Sequence, residues 1–267
     1  MLEFRGLPSS RMGDAVPLDA MTAAGVRRIT VDRPGVGYSD PKPGRTLLGW
    51  PNDVRALVDH LGLESFAVLG TSGGGPYAAA CCYALPDRIT RASLVSTIGP
   101  PDRPGAFDGM NRGEARTMIL ARRAPLIARW LVGTVVLAER HRPGTVYRGL
   151  VRALPEVDRR VASQPGVRQS LMDSFAVAFR QGVRGQVRDW AIIGTPWGFH
   201  PEDIRLPVHI YHGVLDDRAP CHHARDLANR LPECEITEYP DEGHMLVFSH
   251  AEEILIATAV HSASAPA

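Results

Sequence analysis

Cysteine is scarce, with four residues in a chain of 267. That is too few to staple a chain this long, and Cys81 and Cys82 are adjacent within an expected helix, where they point to different faces. Reduced, structural thiols follow, which fits a cytoplasmic protein. Long apolar runs are missing as well. No stretch reaches the roughly 18 residues of a membrane span, and residues 1–5 lack the basic-then-apolar layout of a secretion signal. Neither sign of charge dominates. With a formal net charge of +1 and no strongly basic stripe, nucleic acid is excluded as the main partner, because phosphate binding needs clustered Lys and Arg. The arginines at 112, 116, 122, 123 and 129 read as a solvated helix face. Gly35-Val36-Gly37 lacks the third glycine of a dinucleotide fingerprint, and no lysine follows Gly75 as a phosphate loop would require. His209, His212, His222 and His223 suggest a metal at first sight, but His209 and His212 are three apart on a strand and face opposite sides. No metal and no cofactor is expected.

What remains is an ordinary core-forming composition, 44% hydrophobic, enough for one large domain carrying an insertion. Short apolar runs alternate with helical spacing in the first hundred residues. Strands are expected at residues 27–32, 66–69 and 92–96, with helices at 50–61 and 77–85. From about 100 to 206 the chain is rich in Arg, Ala, Leu and Val at helical spacing, cut into pieces by prolines. Strand character returns at 208–211 and 235–239, with helices at 219–231 and 251–261 and a frayed tail over 262–267. Such alternation implies an α/β protein: a mostly parallel sheet with helices on both faces and a helical cap inserted mid-chain. The core is assigned to residues 1–99 and 188–267 and the cap to 100–187. Active sites of such sheets collect at the carboxyl ends of the strands.

Three motifs fall there. Gly70-Thr71-Ser72-Gly73-Gly74 fits G-x-S-x-G between an apolar strand and a helix, the setting in which a serine projects its hydroxyl from a sharp turn. A serine hydroxyl needs a neighbouring base, and His244, in the turn Asp241-Glu242-Gly243-His244, is the best candidate among ten histidines. An imidazole needs a carboxylate on its other nitrogen, and Asp216 follows the strand ending near Tyr211, although Asp217 is directly adjacent. The order Ser, Asp, His differs from the orders in chymotrypsin and subtilisin.

These segments resemble the α/β-hydrolase superfamily, in particular its capped bacterial esterase-like members. Asp32-Arg33-Pro34-Gly35-Val36-Gly37-Tyr38-Ser39 is similar to the family's loop after its fourth strand. Residues 69–77 resemble the nucleophile elbow, and residues 211–216 and 242–244 the acid and histidine motifs. Pro196-Trp197-Gly198-Phe199 also matches a pattern of this subgroup. The resemblance implies a second oxyanion donor at the backbone N–H of Leu7, joining that of Gly73. Arg5 stands where the family usually has histidine, so a cation near the oxyanion hole is expected to alter substrate preference. Residue 1 falls where the family's third strand begins, which implies that the first two family strands are missing. The strand over residues 29–31 would then have a bare edge, a site for self-association.

The resulting expectation is a serine hydrolase that cleaves a carboxylic ester or related acyl compound through an acyl-enzyme, with Ser72, Asp216 and His244 as its triad. Its partner would be a small apolar acyl substrate, held under the cap near Met118, Trp130, Phe175 and Phe179, with no membrane or nucleic acid involved. The same triad could instead serve carbon–carbon cleavage, lyase or cofactor-free haloperoxidase chemistry, since a fold does not fix its reaction. A non-catalytic small-molecule-binding scaffold is the reading from another class.

Overall fold

A computed structural model describes residues 1–13, 21–22 and 25–259. The expected frayed tail and the last residues of the expected C-terminal helix lie outside the described residues. Six strands form one fully parallel sheet: β1 (Leu2–Phe4), β2 (Ile29–Thr30), β3 (Phe66–Thr71), β4 (Ile89–Val95), β5 (Val208–Gly213) and β6 (Cys234–Tyr239), in the order β2-β1-β3-β4-β5-β6. The chain therefore starts inside the sheet, steps outward to β2, then crosses back over β1 and proceeds the other way. The strand order reverses between β1 and β3, and in open α/β sheets the crevice beyond such a switch point is where ligands bind.

β3 is the most apolar strand because both its faces are covered. Its alternate side chains feed two separate clusters. Val68 joins the larger core with Phe4, Trp50, Tyr77 and Leu94, whereas Leu69 joins Val95, Tyr211, Leu246, Ile254 and Leu255 on the opposite face. The first face carries α1 (Trp50–His60), whose buried residues Trp50, Val54 and Val58 recur at spacings of four, and α2 (Gly75–Ala84), whose first eight residues are all buried. α9 (Cys221–Arg230) adds its buried Ala224 and Leu227 to the same face. The second face carries α10 (Leu246–Ser249) and α11 (Ala251–Ala259).

Between β4 and β5 lie six helices: α3 (Arg112–Arg123), α4 (Pro125–His141), α5 (Thr145–Arg152), α6 (Glu156–Ala162), α7 (Pro165–Ala178) and α8 (Arg184–Ile193). Two of the prolines that divide the segment are helix starts: Pro125 and Pro165 open α4 and α7, where a missing N–H costs nothing. α8 runs through residues 187–188, where the sequence placed the end of the cap; its buried residues, Gly185 to Val187 and Asp189 to Ile193, pack on both cap and core. The strand expected over 27–32 is cut to two residues, because only Leu2 and Glu3 of β1 face it. Its outer side has no strand partner among the described residues. No described helix is long and apolar enough to cross a membrane.

Candidate active site

Ser72 leaves β3 in a one-turn 3-10 segment, Ser72–Gly74, and α2 begins at the next residue. The turn is so sharp that Ser72 takes φ 53°, a left-handed conformation rare outside glycine. Gly74 permits it: a methyl group there would fall 1.9 Å from the Phe4 carbonyl oxygen, so only glycine lets the elbow lie against β1.

The loops after β5 and β6 meet above this turn. A side chain on Gly213 would come within 2.4 Å of the carbonyl oxygens of Glu242 and Gly243, so the glycine lets the two loops touch. Leu215 N–H donates to the Glu242 carbonyl at 3.0 Å, locking them together. The contact sets Asp216 beside His244. His244 Nδ1 lies 2.8 Å from Asp216 Oδ2, and His244 Nε2 lies 3.0 Å from Ser72 Oγ. A carboxylate only accepts, so Nδ1 carries the proton and the Nε2 lone pair faces the serine hydroxyl. The other carboxylate oxygen of Asp216 accepts the N–H groups of Arg218 at 2.8 Å and Ala219 at 2.9 Å. Burial opposes ionisation of Asp216, yet the neighbouring His244 and His212 and the Ala219 N–H together hold its carboxyl below the usual carboxylate range. The adjacent Asp217 is turned elsewhere, with its backbone carbonyl and carboxylate on Asn111.

Leu7 follows β1, on the other side of the switch point. Gly6 lies against Ser72, where a methyl would be 3.1 Å from the serine Cβ, and the Leu7 side chain closes over Gly73 with Ile193 from α8. Leu7 N–H donates to no group among the described residues. Arg33, from the loop after β2, donates to the carbonyls of Arg5 at 2.8 Å and Gly6 at 3.1 Å. In a trans peptide the carbonyl and the following N–H point opposite ways, so holding the Gly6 carbonyl fixes the direction of the Leu7 N–H. Arg33 is itself held by Asp189 of α8 at 3.0 Å, which also accepts from Arg45 at 2.5 Å and Tyr77 at 2.7 Å. Asp189 is fully buried. Burial alone would raise its pKa, but Arg33 and Arg45 keep it below the ordinary value.

A second buried carboxylate reaches the histidine loop from the cap. Asp158 on α6, 1% exposed, accepts the backbone N–H of His244 at 3.1 Å and of Met245 at 2.9 Å. Burial pushes its carboxyl pKa up, against the opposing pull of those N–H groups and the imidazole.

Sequence reasoning missed Asp158 and Asp189. Asp158 sits in Glu156-Val157-Asp158-Arg159-Arg160, which reads as a solvated helix, and no local signal marks it. Arg33 lay within a quoted motif, and its pairing with α8 is a contact across 156 residues. Arg5 corrects an expectation. Its guanidinium is buried against Glu3 and donates to the Gly13 carbonyl at 2.5 Å, so its charge is already occupied there. Trp130 is a second correction. It is 68% exposed, because α4 turns Ala128 and Val136 inward and Trp130 falls nearly opposite them on the helix. Met118 and Phe179 are buried in the larger core, and Phe175 packs against it. Of the histidines considered for metal, His212 Nε2 donates to the Ala219 carbonyl and His223 Nε2 to that of Ala106. No group of three or more candidate metal ligands occurs among the described residues.

A parallel sheet with an elbow serine at its switch point, capped by helices, defines an α/β hydrolase. The chain belongs to that family: the family model for the alpha/beta hydrolase fold matches residues 11–251. It is similar to a Mycobacterium tuberculosis protein bearing the name non-heme bromoperoxidase BpoC, 25% identical over 88% of this chain and 82% of the relative. It is also similar to a pimeloyl-[acyl-carrier protein] methyl ester esterase of Aromatoleum aromaticum, 26% identical over 87% of this chain and 86% of the relative. Among solved structures, a thermophilic esterase from Thermogutta terrifontis superposes with a TM-score of 0.65 and 22% identity, covering 96% of this chain and 86% of that one. The chain is an enzyme of the hydrolase kind.

Proposed function

We propose that this enzyme cleaves a carboxylic ester, or a related acyl compound, through an acyl-enzyme. The observation that carries the reading is the unbroken relay from Ser72 Oγ through His244 to Asp216, at 3.0 and 2.8 Å. Ser72 attacks the acyl carbon while His244 takes its proton, and Asp216 holds the imidazole in the required tautomer and stabilises the imidazolium. The oxyanion is received by Leu7 N–H and Gly73 N–H, the latter at the amino end of α2 where helix N–H groups are unpaired. His244 then delivers the proton to the leaving alcohol, and water, activated by the same imidazole, releases the acid. Leu7 and Ile193, closing over Gly73, give the acyl side an apolar wall. The esterase names among the relatives support the choice of bond. A cytoplasmic setting is part of the same proposal, supported by four free cysteines.

The test is labelling by a fluorophosphonate, followed by a panel of p-nitrophenyl esters of graded chain length. Wild type is expected to label at Ser72 and turn over esters. Ser72→Ala is expected to fold normally, resist the label and lose turnover. Folded wild type that does not label would favour the binding-scaffold reading. Labelling without ester turnover would direct the triad to another chemistry, such as that named for the bromoperoxidase relative.

A further inference from the structure

A second cleft lies away from Ser72, between the α3–α4 corner, α8 and two core loops. It has a volume of about 470 Å³, and none of Ser72, Asp216 and His244 lines it. Its walls are apolar, including Leu47, Leu48 and Trp197, but three arginines, Arg122, Arg129 and Arg188, also line it. No acidic residue does. None of the three makes an ion pair with a carboxylate among the described residues. Arg122 donates to the Gly194 carbonyl and Arg188 to that of Arg45, which leaves most of their N–H groups uncommitted.

Two buried donors in this lining have no acceptor: Arg129 Nε and Trp197 Nε1. Trp197 is only 3% exposed. Both atoms are closed to water, so the groups in this lining open to a ligand are the terminal N–H groups of the three arginines.

We infer that this cleft is a binding site for a small amphipathic oxyanion, an alkyl or aryl carboxylate or phosphate. The anionic head meets the terminal guanidinium N–H groups of Arg122, Arg129 and Arg188. The tail lies on Leu47, Leu48 and the Trp197 ring. The volume suits a ligand of this kind, since small-molecule sites run from about 300 to 1,000 Å³. Guanidinium groups are the natural receivers of planar or tetrahedral oxyanions.

The test titrates the full-length protein calorimetrically with octanoate, octyl phosphate and octanol. At least one of the two anions should bind, more weakly as salt is raised, and octanol should not. Preference between the anions identifies the head group. Arg129→Gln should weaken the anion at least about tenfold, as loss of a charge-assisted hydrogen bond does. Arg122→Gln serves as a second variant should the first fold poorly. In nitrogen-15 spectra the shifts should gather on Leu47, Leu48 and the Trp197 indole N–H, whether or not esters are turned over. Equal binding of octanol, wild-type affinity in a folded Arg129→Gln, or shifts centred on Ser72 would each overturn the assignment.

Discussion

Asp189→Asn tests how α8 and the loop that carries Leu7 are joined. The carboxylate is wholly buried and answers two buried guanidinium groups, Arg33 and Arg45, whose side chains are 3% and 6% exposed. Asparagine keeps the shape and removes the charge, leaving both cations without a counter-charge. Breaking a buried pair in this way costs about 3–5 kcal/mol. For 267 residues, an unfolding entropy of about 2.1 cal/mol/K per residue gives ~0.56 kcal/mol/K, so the melting temperature should fall by about 5–9 °C. The pH dependence has a definite sign. A carboxylate held below its unfolded value contributes stability that is present above pH ~3.9 and disappears as pH falls through the folded pKa. The variant should therefore lose its excess destabilisation in acid, where wild type sheds the same interaction. Arg33 would also hold the Gly6 carbonyl less firmly, so ester turnover should drop, by no more than the roughly 100- to 1,000-fold that an oxyanion donor is worth. Calorimetric melting at neutral and acid pH, with kcat on one ester, is the assay. A melting point within about 2 °C of wild type at neutral pH would refute the account of Asp189 as the joint.

Asp158→Ala removes the acceptor of two backbone N–H groups in the histidine loop, at a cost of about 1–3 kcal/mol for each left buried. Displacement of the imidazole should lower kcat by up to about 100-fold. Asp158→Asn, which retains one acceptor oxygen, should fall between; equal kcat in wild type and Asp158→Ala would remove the clamp. The raised pKa of Asp158 has the opposite sign to that of Asp189: its contribution declines as pH rises from the unfolded value toward the folded one, and Asp158→Asn should abolish that decline in melting curves. β2 offers two residues and one strand neighbour among the described residues, and α4 exposes Leu126, Ile127 and Trp130. The chain is therefore expected to self-associate in light scattering, and a monodisperse, thermally robust monomer would count against that.

The parts legible in the sequence are those whose cause is local. A continuous apolar run before Gly70 and small residues after it read as a buried strand feeding a buried helix, and the structure has that strand and that helix there. Asp216 was favoured over the adjacent Asp217 only as a residue following the strand, and the structure places Asp216, not its neighbour, on His244. What was not legible is long-range. Asp158 reads as one more charge on an exposed helix until the loop 86 residues away is folded against it. Trp130 looked like a pocket aromatic because composition alone does not say which side of an amphipathic helix meets the core. That choice is set by Ala128 and Val136, small and β-branched residues whose inward role only packing reveals.

The two carboxylates that the sequence hid share one design. Each is carried by a helix of the segment between β4 and β5, each is almost wholly buried, and each answers groups that orient a different part of the serine site. Asp189 holds Arg33, which aims the Leu7 N–H, while Asp158 holds the backbone that carries His244. A cap that only covered substrate would need apolar contacts alone, and buried ionised groups add little stability over such contacts. Their presence at both joints means that the cap's position is coupled to the geometry of the chemical groups, not merely to access. It follows that cap rearrangement should alter kcat as well as KM, since moving α6 or α8 displaces His244 or the Leu7 N–H together with the helix.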